Sequence, residues 1–259
     1  MVKKIIINTG DFIKFLGTAG ARFVMIKQMR SSGGLWIHRK DTNVLVDPGP
    51  GSIVRCANSK PKLDPSRLDA IILTHRHLDH CADVNVMIEA MTEGGFKKRG
   101  VVFCPADAVE DDPVILKYLR GFPERIELLK PYKKYKVGDF EFQTSMRHIH
   151  PVETYGIKFY IGDKSVSLLT DTRYFEHLKD FYNTEVVIVS VVFFLPRPEI
   201  DHLSLLEVEA LIKDIKPKKT ILFHFGMTML KARPDIQAQT LSKKLGREVL
   251  SAYDGMTFA

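Results

Sequence analysis

Short apolar runs separated by turn residues recur along the chain, and their lengths predict β-strands rather than long helices. The predicted strands cover residues 12–16, 34–37, 44–46, 70–73, 101–104, 155–161, 165–169, 186–192 and 220–225, and a further alternating strand starts at Phe140. Residues 155–161 and 165–169 form a hairpin around Gly162 and Asp163. The run 186–192 is continuously apolar, as in a strand buried on both faces.

Helical spacing is confined to fewer segments. Helices are predicted at 84–91, from 112 to about 119, at 203–215 before Pro217, and at 236–245. Strands dominate and helices concentrate toward the C-terminus, a pattern that fits sheets covered by helices. No Pro/Gly/Ser-rich linker and no internal repeat divides the 259 residues, so we expect one domain spanning residues 1–259.

Composition indicates the cellular compartment and the kind of substrate to expect. No apolar run reaches 18 residues, so no membrane span is expected. The two lysines at positions 3 and 4 precede an apolar stretch that is too short for a signal peptide. An odd number of cysteines, three, argues against a disulfide framework, and we expect a cytoplasmic protein. The net charge of +7 suits an anionic substrate and also suits ordinary solubility, and both interpretations stay open.

The densest chemistry lies in residues 74–80, which read Thr-His-Arg-His-Leu-Asp-His and directly follow the predicted strand 70–73. His75 and His77 are two positions apart, so on extended backbone they point the same way. Asp79 and His80 follow where the chain should turn, and they can reach a second point nearby. Imidazole and carboxylate groups suit zinc and similar ions, so this one segment could serve two metals.

Other histidines and aspartates also stand at the ends of predicted strands. They are His150, Asp171 and His224, with His202 at the start of the predicted helix 203–215. Ligands at the ends of several strands converge at one edge of a sheet, where loops can form a cleft. The sequence therefore predicts a shared site at that edge.

Together these motifs resemble the metallo-β-lactamase superfamily. The segment 75–80 is its His-x-His-x-Asp-His signature, and the remaining motifs follow in order. They are Asp47 in Val-Asp-Pro-Gly, His150 with Gly156 six residues later, Asp171 in Leu-Thr-Asp-Thr, and His224 in Phe-His-Phe-Gly. His202 in His-Leu-Ser resembles the extra histidine of tRNA 3′-end processing nucleases and cyclic-phosphate diesterases.

The resemblance implies an α/β fold, a four-layer αββα sandwich with a dinuclear metal site at one edge. Carried over, one metal is held by His75, His77 and His150. The second is held by Asp79, His80 and His224, and Asp171 bridges the two. It further implies two divalent ions, zinc first, with manganese or iron as alternatives, and a hydroxide held between them as nucleophile. His202 and Asp79 would act in catalysis.

Several residues keep more than one interpretation. His148 could replace His150 as a ligand, contact substrate, or be a satisfied strand histidine. Asp47 could orient a ligand imidazole or serve as a turn residue before Pro48. Cys81 is more typical of a buried small side chain than of a ligand. Residues 84–99 could form a lid or a plain surface helix and turn.

A phosphodiester is the favoured substrate. The segment 17–22 resembles the Gly-rich opening loop of the phosphodiesterase branch, and basic side chains near the expected cleft could meet phosphate oxygens. These basic residues are Arg22, Lys27, Arg30, Arg147 and Arg173, each with a solvated-surface alternative. Only 20 residues separate His150 from Asp171, too few for the tRNA-gripping arm of the tRNA-processing members.

We therefore expect a metal-dependent phosphodiesterase acting on a small or cyclic phosphodiester or on a nucleic-acid end. The alternatives are a carboxylic ester, thioester or lactone hydrolase on the same fold, and a non-catalytic metal-containing scaffold. The expected partner is a small-molecule or nucleotide phosphodiester substrate, without a membrane. Nucleic acid and a homodimer stay open.

Overall fold

The computed structural model of the protein describes residues 10–20 and 22–259. The expectations for the first nine residues and for Ala21 of the opening loop lie outside this range. The strands are β1 Phe12–Phe15, β2 Leu35–Arg39, β3 Thr42–Val46, β4 Ala70–Ile72, β5 Val101–Cys104, β6 Arg125–Leu128, β7 Lys134–Val137, β8 Phe140–Arg147, β9 Tyr155–Ile161, β10 Lys164–Leu169, β11 Val186–Ser190, β12 Lys219–Phe223, β13 Glu248–Ser251 and β14 Thr257–Phe258. The helices are α1 Phe23–Ile26, α2 Ser52–Asn58, α3 Leu78–Cys81, α4 Val84–Met91, α5 Leu178–Phe181, α6 Leu205–Ile215, α7 Met227–Lys231 and α8 Pro234–Leu245.

Two seven-stranded sheets face each other. One has the order β14-β1-β2-β3-β4-β5-β6, and the other has the order β13-β12-β11-β10-β9-β8-β7. Apolar side chains from the inner faces of both sheets form the central core, among them Phe15, Phe103, Phe142 and Ile221, each essentially inaccessible to solvent. Burying such side chains is the main favourable contribution to folding.

Helices cover the outer face of each sheet. A second apolar cluster packs α4 against the outer side of the first sheet, and a third packs α6 and α8 against the second sheet. The predicted four-layer αββα sandwich is therefore confirmed. In the described residues, no helix combines the length and apolar character needed to cross a membrane.

The directions of the strands place the loops that carry the predicted site residues at one edge of the two sheets. Strands β3 to β6 run parallel to one another, and so do β10 to β13. Strand β8 has the same direction as β10, because both are antiparallel to β9. The carboxyl ends of β3, β4, β8, β10 and β12 therefore lead into the segments that carry the predicted site residues.

The predicted helix from 112 to about 119 is wrong. Only a 3-10 turn forms there, at Lys117–Leu119. The side chain of Asn85 explains the difference, because its amide donates to the Val114 carbonyl at 2.8 Å and its oxygen accepts from the Leu116 amide at 3.0 Å. Backbone groups that a helix would pair internally are satisfied by this side chain instead.

The segment 84–99 contains α4, with the predicted bounds. Four of its side chains, those of Val84, Met87, Ile88 and Met91, are completely buried beneath the first sheet. Detaching this helix would expose all four, which opposes a lid motion. The packing favours the plain helix-and-turn interpretation.

Helix α6 begins two residues later than predicted because Ser204 is its N-cap. The Ser204 hydroxyl accepts from the Glu207 amide, and the Glu207 carboxylate accepts from the Ser204 amide at 2.7 Å. This reciprocal capping box satisfies otherwise unpaired amides at the start of the helix. It also fixes the backbone two residues after His202.

We expect Ser204→Ala to lower the free energy of unfolding by about 1 kcal/mol, because the N-cap acceptor is lost. Urea unfolding monitored by circular dichroism measures this change. Ser204→Thr is the matched control, since it keeps the hydroxyl. Equal stability of the alanine variant and the wild type would contradict the capping role.

A second prediction concerns Glu209, which pairs with Lys213 in the same helix and joins α6 to α8 through Lys244, both at 2.7 Å. Hydrogen bonds from these lysines lower the pKa of Glu209 below its usual 4.5. A lowered folded-state pKa stabilises the fold above pH 4.5, and this contribution is lost as the pH falls through the folded-state pKa. Both lysines are about half exposed, so the gain at pH 7 is at most about 1 kcal/mol.

Glu209→Gln should therefore be less stable than the wild type at pH 7, and this difference should be smaller at pH 3. Denaturant unfolding at both pH values checks this, with Glu248→Gln as an exposed-carboxylate control. A stability difference that persists unchanged at pH 3 would show that charge is not its cause.

Candidate metal centre

Three histidines form the first group of potential ligands. His75 and His77 follow β4, and His150 follows β8. Each offers one ring nitrogen, and the three atoms lie within 4.8 Å of one another. The Nδ1 atom of His77 and the Nε2 atom of His150 are 3.0 Å apart. Burial and the neighbouring His150 lower the pKa of His77 to about 4, so this ring is neutral and can offer a lone pair.

The second group adjoins the first and combines two carboxylates with two imidazoles. Its members are Asp79, His80, Asp171 and His224, and their ligand atoms also lie within 4.8 Å of one another. Asp79 and His80 stand on the single-turn helix α3, where the chain turns after the extended backbone of His77. The turn directs their side chains to a second point, as the spacing predicts.

Asp171 lies at the centre of the site. Its Oδ2 atom is 3.4 Å from Nε2 of His80, 3.4 Å from Nε2 of His224 and 3.9 Å from Nε2 of His75. This one carboxylate oxygen therefore faces imidazoles from both groups. The arrangement is the one that a bridging ligand requires.

Neighbouring side chains in this cluster shift one another's pKa values. Burial favours the neutral acid of Asp171, yet the imidazoles of His224 and His202 hold the pKa of this carboxyl well below its usual range. Burial opposes a charge on His80, yet the carboxylates of Asp79 and Asp47 hold its pKa well above the usual range. The Asp171 carboxylate is thus anionic and favours positive charge beside it.

Unpaired polar atoms show that the side chains fit divalent cations. The buried atoms without a hydrogen-bond partner in the described residues include Nε2 of His75, His80 and His224, Oδ2 of Asp79, and both carboxylate oxygens of Asp171. Buried polar atoms normally have partners, so an aligned set of unpaired ones calls for an explanation. Nitrogen and oxygen lone pairs that converge in two adjoining groups suit zinc, and they also suit manganese or iron.

Asp47 hydrogen-bonds to Thr74 and lies against the ring of the candidate ligand His80. Its Oδ2 accepts from the Thr74 hydroxyl at 2.7 Å and lies 2.9 Å from Nδ1 of His80, while its Oδ1 accepts from the Thr74 amide at 2.7 Å. Asp47 with His75 and His80 also meets the distance for a metal group, but both oxygens of Asp47 are already engaged. These contacts favour the orienting role, in which Asp47 fixes the ring of His80.

His202 stands beside the centre rather than within either group. Its Nδ1 atom lies 3.5 Å from Oδ2 of Asp171, and its ring centroid is 5.2 Å from that of His150. Only 12% of its side chain is exposed. The imidazole is therefore held at the wall of the site, next to the central carboxylate.

Backbone strain marks the site. Asp47 and His224 have φ angles of 53° and 59°, which non-glycine residues adopt only when their surroundings impose them. The loop 17–20 supplies part of that constraint, because the Phe225 amide donates to the Thr18 carbonyl and the Gly20 amide donates to the Phe225 carbonyl. A Cβ on Gly20 would overlap the His224 carbonyl, so only glycine allows this approach.

Other predicted residues take peripheral places. Arg22, Lys27 and Arg147 are exposed, and Arg30 is half-buried. Arg173 is exposed but paired with Asp201, Nη2 to Oδ1, at 2.7 Å. The Cys81 thiol donates to the Arg76 carbonyl, and burial raises its pKa to about 12, so this side chain packs as a neutral group.

Three supporting residues escaped the sequence analysis. The carbonyl of Asp201 accepts from Nδ1 of His150 at 3.0 Å, Thr74 holds Asp47, and the Tyr182 hydroxyl reaches His148. None lies in a recognisable motif. Asp201 precedes His202 and Thr74 precedes His75, and this adjacency is the only local signal that could have identified Asp201 and Thr74. Tyr182 has no such signal in the sequence.

Comparison with known proteins agrees with this geometry. The family model described as "Beta-lactamase superfamily domain" matches residues 42–225. An uncharacterised protein of Methanocaldococcus jannaschii, MJ1374, is 31% identical over 255 residues, covering 94% of this chain and 93% of that protein.

Two solved structures share the fold. The metallo-β-lactamase fold protein YhfI from Bacillus subtilis superposes with a TM-score of 0.78 at 21% identity, covering 96% of this chain and 98% of YhfI. A diphosphatase of the PhnP family superposes with a TM-score of 0.71 at 16% identity, covering 96% and 97% respectively. The fold of these relatives implies divalent metal binding, and the chain belongs to the metallo-β-lactamase superfamily of metal-dependent hydrolases.

Proposed function

We propose that this protein is a metal-dependent phosphodiesterase that hydrolyses a small or cyclic phosphodiester or a phosphodiester at a nucleic-acid end. The observation that carries this proposal is the position of His202, with Nδ1 3.5 Å from the central Asp171 carboxylate and its ring beside His150. An imidazole at the wall of the site can bind a phosphoryl oxygen or protonate the departing alkoxide.

The proposed metal ligands are the two groups described above. His75, His77 and His150 would hold one divalent cation; Asp79, His80 and His224 would hold the other, with Asp171 between them. When bound, two such cations, zinc first and manganese or iron as alternatives, would supply Lewis acidity and a water of lowered pKa. Asp79 is also a proposed catalytic residue, because its Oδ2 faces His224 at 3.5 Å and can orient a water there.

The protonation of His202 follows from its surroundings. Burial lowers the pKa of His202, while the Asp171 carboxylate opposes this effect. A phosphodiester adds a second negative charge beside the ring, and that charge favours the imidazolium form. An uncharged ester would not, so the position of His202 suits a phosphorus centre better than a carbon centre.

Two further observations support the proposal, one on the size of the substrate and one on its chemistry. Residues 155–169 between His150 and Asp171 are the β9–β10 hairpin, without room for a long arm. A diphosphatase of the PhnP family shares the fold, which favours phosphorus chemistry over carboxylic ester chemistry. A homodimer and a cytoplasmic location remain expectations.

We expect the wild type to bind about two divalent ions per chain, and Asp171→Asn to lose at least one of them, because a bridging carboxylate serves both positions. Elemental analysis after zinc reconstitution measures this. Asp139→Asn, on an exposed carboxylate paired with Lys40, is the control and should keep both ions. Full loading of the Asp171 variant would contradict the bridging role.

We expect His202→Ala to lower kcat on bis-p-nitrophenyl phosphate by about 10²–10⁴-fold, the usual contribution of a positioned acid, with metal content unchanged. His177→Ala, which removes an exposed histidine, should leave turnover intact. The same preparation is tested on carboxylic esters, thioesters and lactones. Turnover of these substrates alone, unaffected by His202→Ala, would favour the carbon-centred alternative. Metal loading without turnover of either class would favour a scaffold.

A further inference from the structure

A buried hydrogen-bonded pair stands directly behind Asp171. His148 is 3% exposed, and Tyr182, which follows α5, is fully buried. Nδ1 of His148 lies 3.0 Å from the Asp171 carbonyl oxygen, and Nε2 lies 2.5 Å from the Tyr182 hydroxyl. His148 therefore contacts the backbone of the central carboxylate residue, not the ligand groups themselves.

Hydrogen-bond chemistry assigns the direction of both contacts. A backbone carbonyl only accepts, so Nδ1 of His148 carries the proton and donates to Asp171. In a neutral ring Nε2 is then an acceptor, so the Tyr182 hydroxyl donates to it.

Adjacent contacts join the same two segments. The Arg173 amide donates to the Ile149 carbonyl at 2.9 Å, and the Ile149 amide donates to the Thr172 hydroxyl at 3.2 Å. Residues 148–150, which end in His150, are thereby bound to residues 171–173, which begin with Asp171. The segment carrying a ligand of the first group is coupled to the central residue of the second.

Gly156 leaves the space that the pair needs. A Cβ at this position would overlap the Tyr182 hydroxyl and the Leu168 carbonyl. The Gly156 amide also donates to the Ser145 hydroxyl at 2.9 Å. The glycine six residues after His150 is thus explained by the packing of Tyr182 against β9.

We propose that His148 and Tyr182 are positioning residues that hold the Asp171 backbone, and through it the Asp171 carboxylate, between the two ligand groups. The proposal rests on the proposed role of Asp171 as a metal ligand. A shift of the Asp171 carbonyl would move its carboxylate relative to both groups, and metal sites tolerate only small ligand displacements.

Three substitutions test the pair. Tyr182→Phe removes only the hydroxyl, and His148→Gln removes the donor at the Nδ1 position. His148→Asn keeps a donor there, because its amide nitrogen stands two bonds from Cβ, as Nδ1 does. Zinc affinity is measured by competition with a fluorescent chelator, together with kcat and KM on bis-p-nitrophenyl phosphate.

We expect Tyr182→Phe and His148→Gln to weaken zinc binding by about 10–100-fold and to lower kcat more than they change KM, while His148→Asn, which keeps the donor to Asp171 but loses the acceptor for Tyr182, loses less zinc affinity than His148→Gln. Tyr135→Phe is the matched control, since its buried hydroxyl donates to the Leu128 carbonyl at the end of β6 and contacts neither His148 nor Asp171. The melting temperature of each metal-free form separates general destabilisation from altered metal binding.

Zinc affinity equal to wild type in Tyr182→Phe and His148→Gln would overturn the proposal, as would equal losses in His148→Asn and His148→Gln. The affinity measurement needs no substrate. Absence of diesterase activity in the wild type would therefore count against the proposed function while the zinc data still decide the positioning role.

Discussion

The structure depends on one electrostatic constraint, the burial of the Asp171 carboxylate among imidazoles. Within the part of the chain that the structure describes, neither carboxylate oxygen has a hydrogen-bond partner, although the residue is 1% exposed. Removing an ionised carboxylate from water costs several kcal/mol or more unless opposite charge is supplied. The neighbouring imidazoles lower the pKa of Asp171, and the divalent cations that the site fits would supply further positive charge.

This constraint explains why hydrogen bonds hold so many of the surrounding residues in place. Asp47 fixes His80, the Asp201 carbonyl fixes His150, and His148 fixes the Asp171 backbone. The proposed ligands lie on four loops from two different sheets, so each loop needs its own anchor to keep the lone pairs aligned. The left-handed backbone conformation at Asp47 and His224 adds strain at the site, and the packing of the surrounding sandwich maintains it.

The same arrangement bears on substrate choice. Divalent cations held at this centre would attract an anion, and His202 adds a titratable group at its wall. The exposed basic residues at the periphery contribute less, because Arg173 is already paired with Asp201. In the proposed phosphodiesterase, discrimination between phosphorus and carbon esters would depend on His202 more than on the general positive charge of the chain.

Local sequence predicted most elements correctly, and the residues predicted as ligands lie together in the two groups. Helix α4 and strands β5 and β9 have the predicted bounds, because their apolar periodicity matches their burial. The edge strands β6, β7, β13 and β14 were missed, since they are short and carry few apolar residues. The predicted helix after residue 112 failed because Asn85, distant in sequence, satisfies that backbone.

The sequence by itself determined the fold class and the set of candidate ligands, because strand periodicity and ligand spacing are properties of neighbouring residues. Only the tertiary structure decided how those ligands are held. The choice between His148 and His150 turned on Tyr182, 34 positions away, and on a backbone carbonyl that no side-chain pattern encodes. Hydrogen bonds between distant segments have no local signature, so the positioning groups became visible only once the two sheets were packed together.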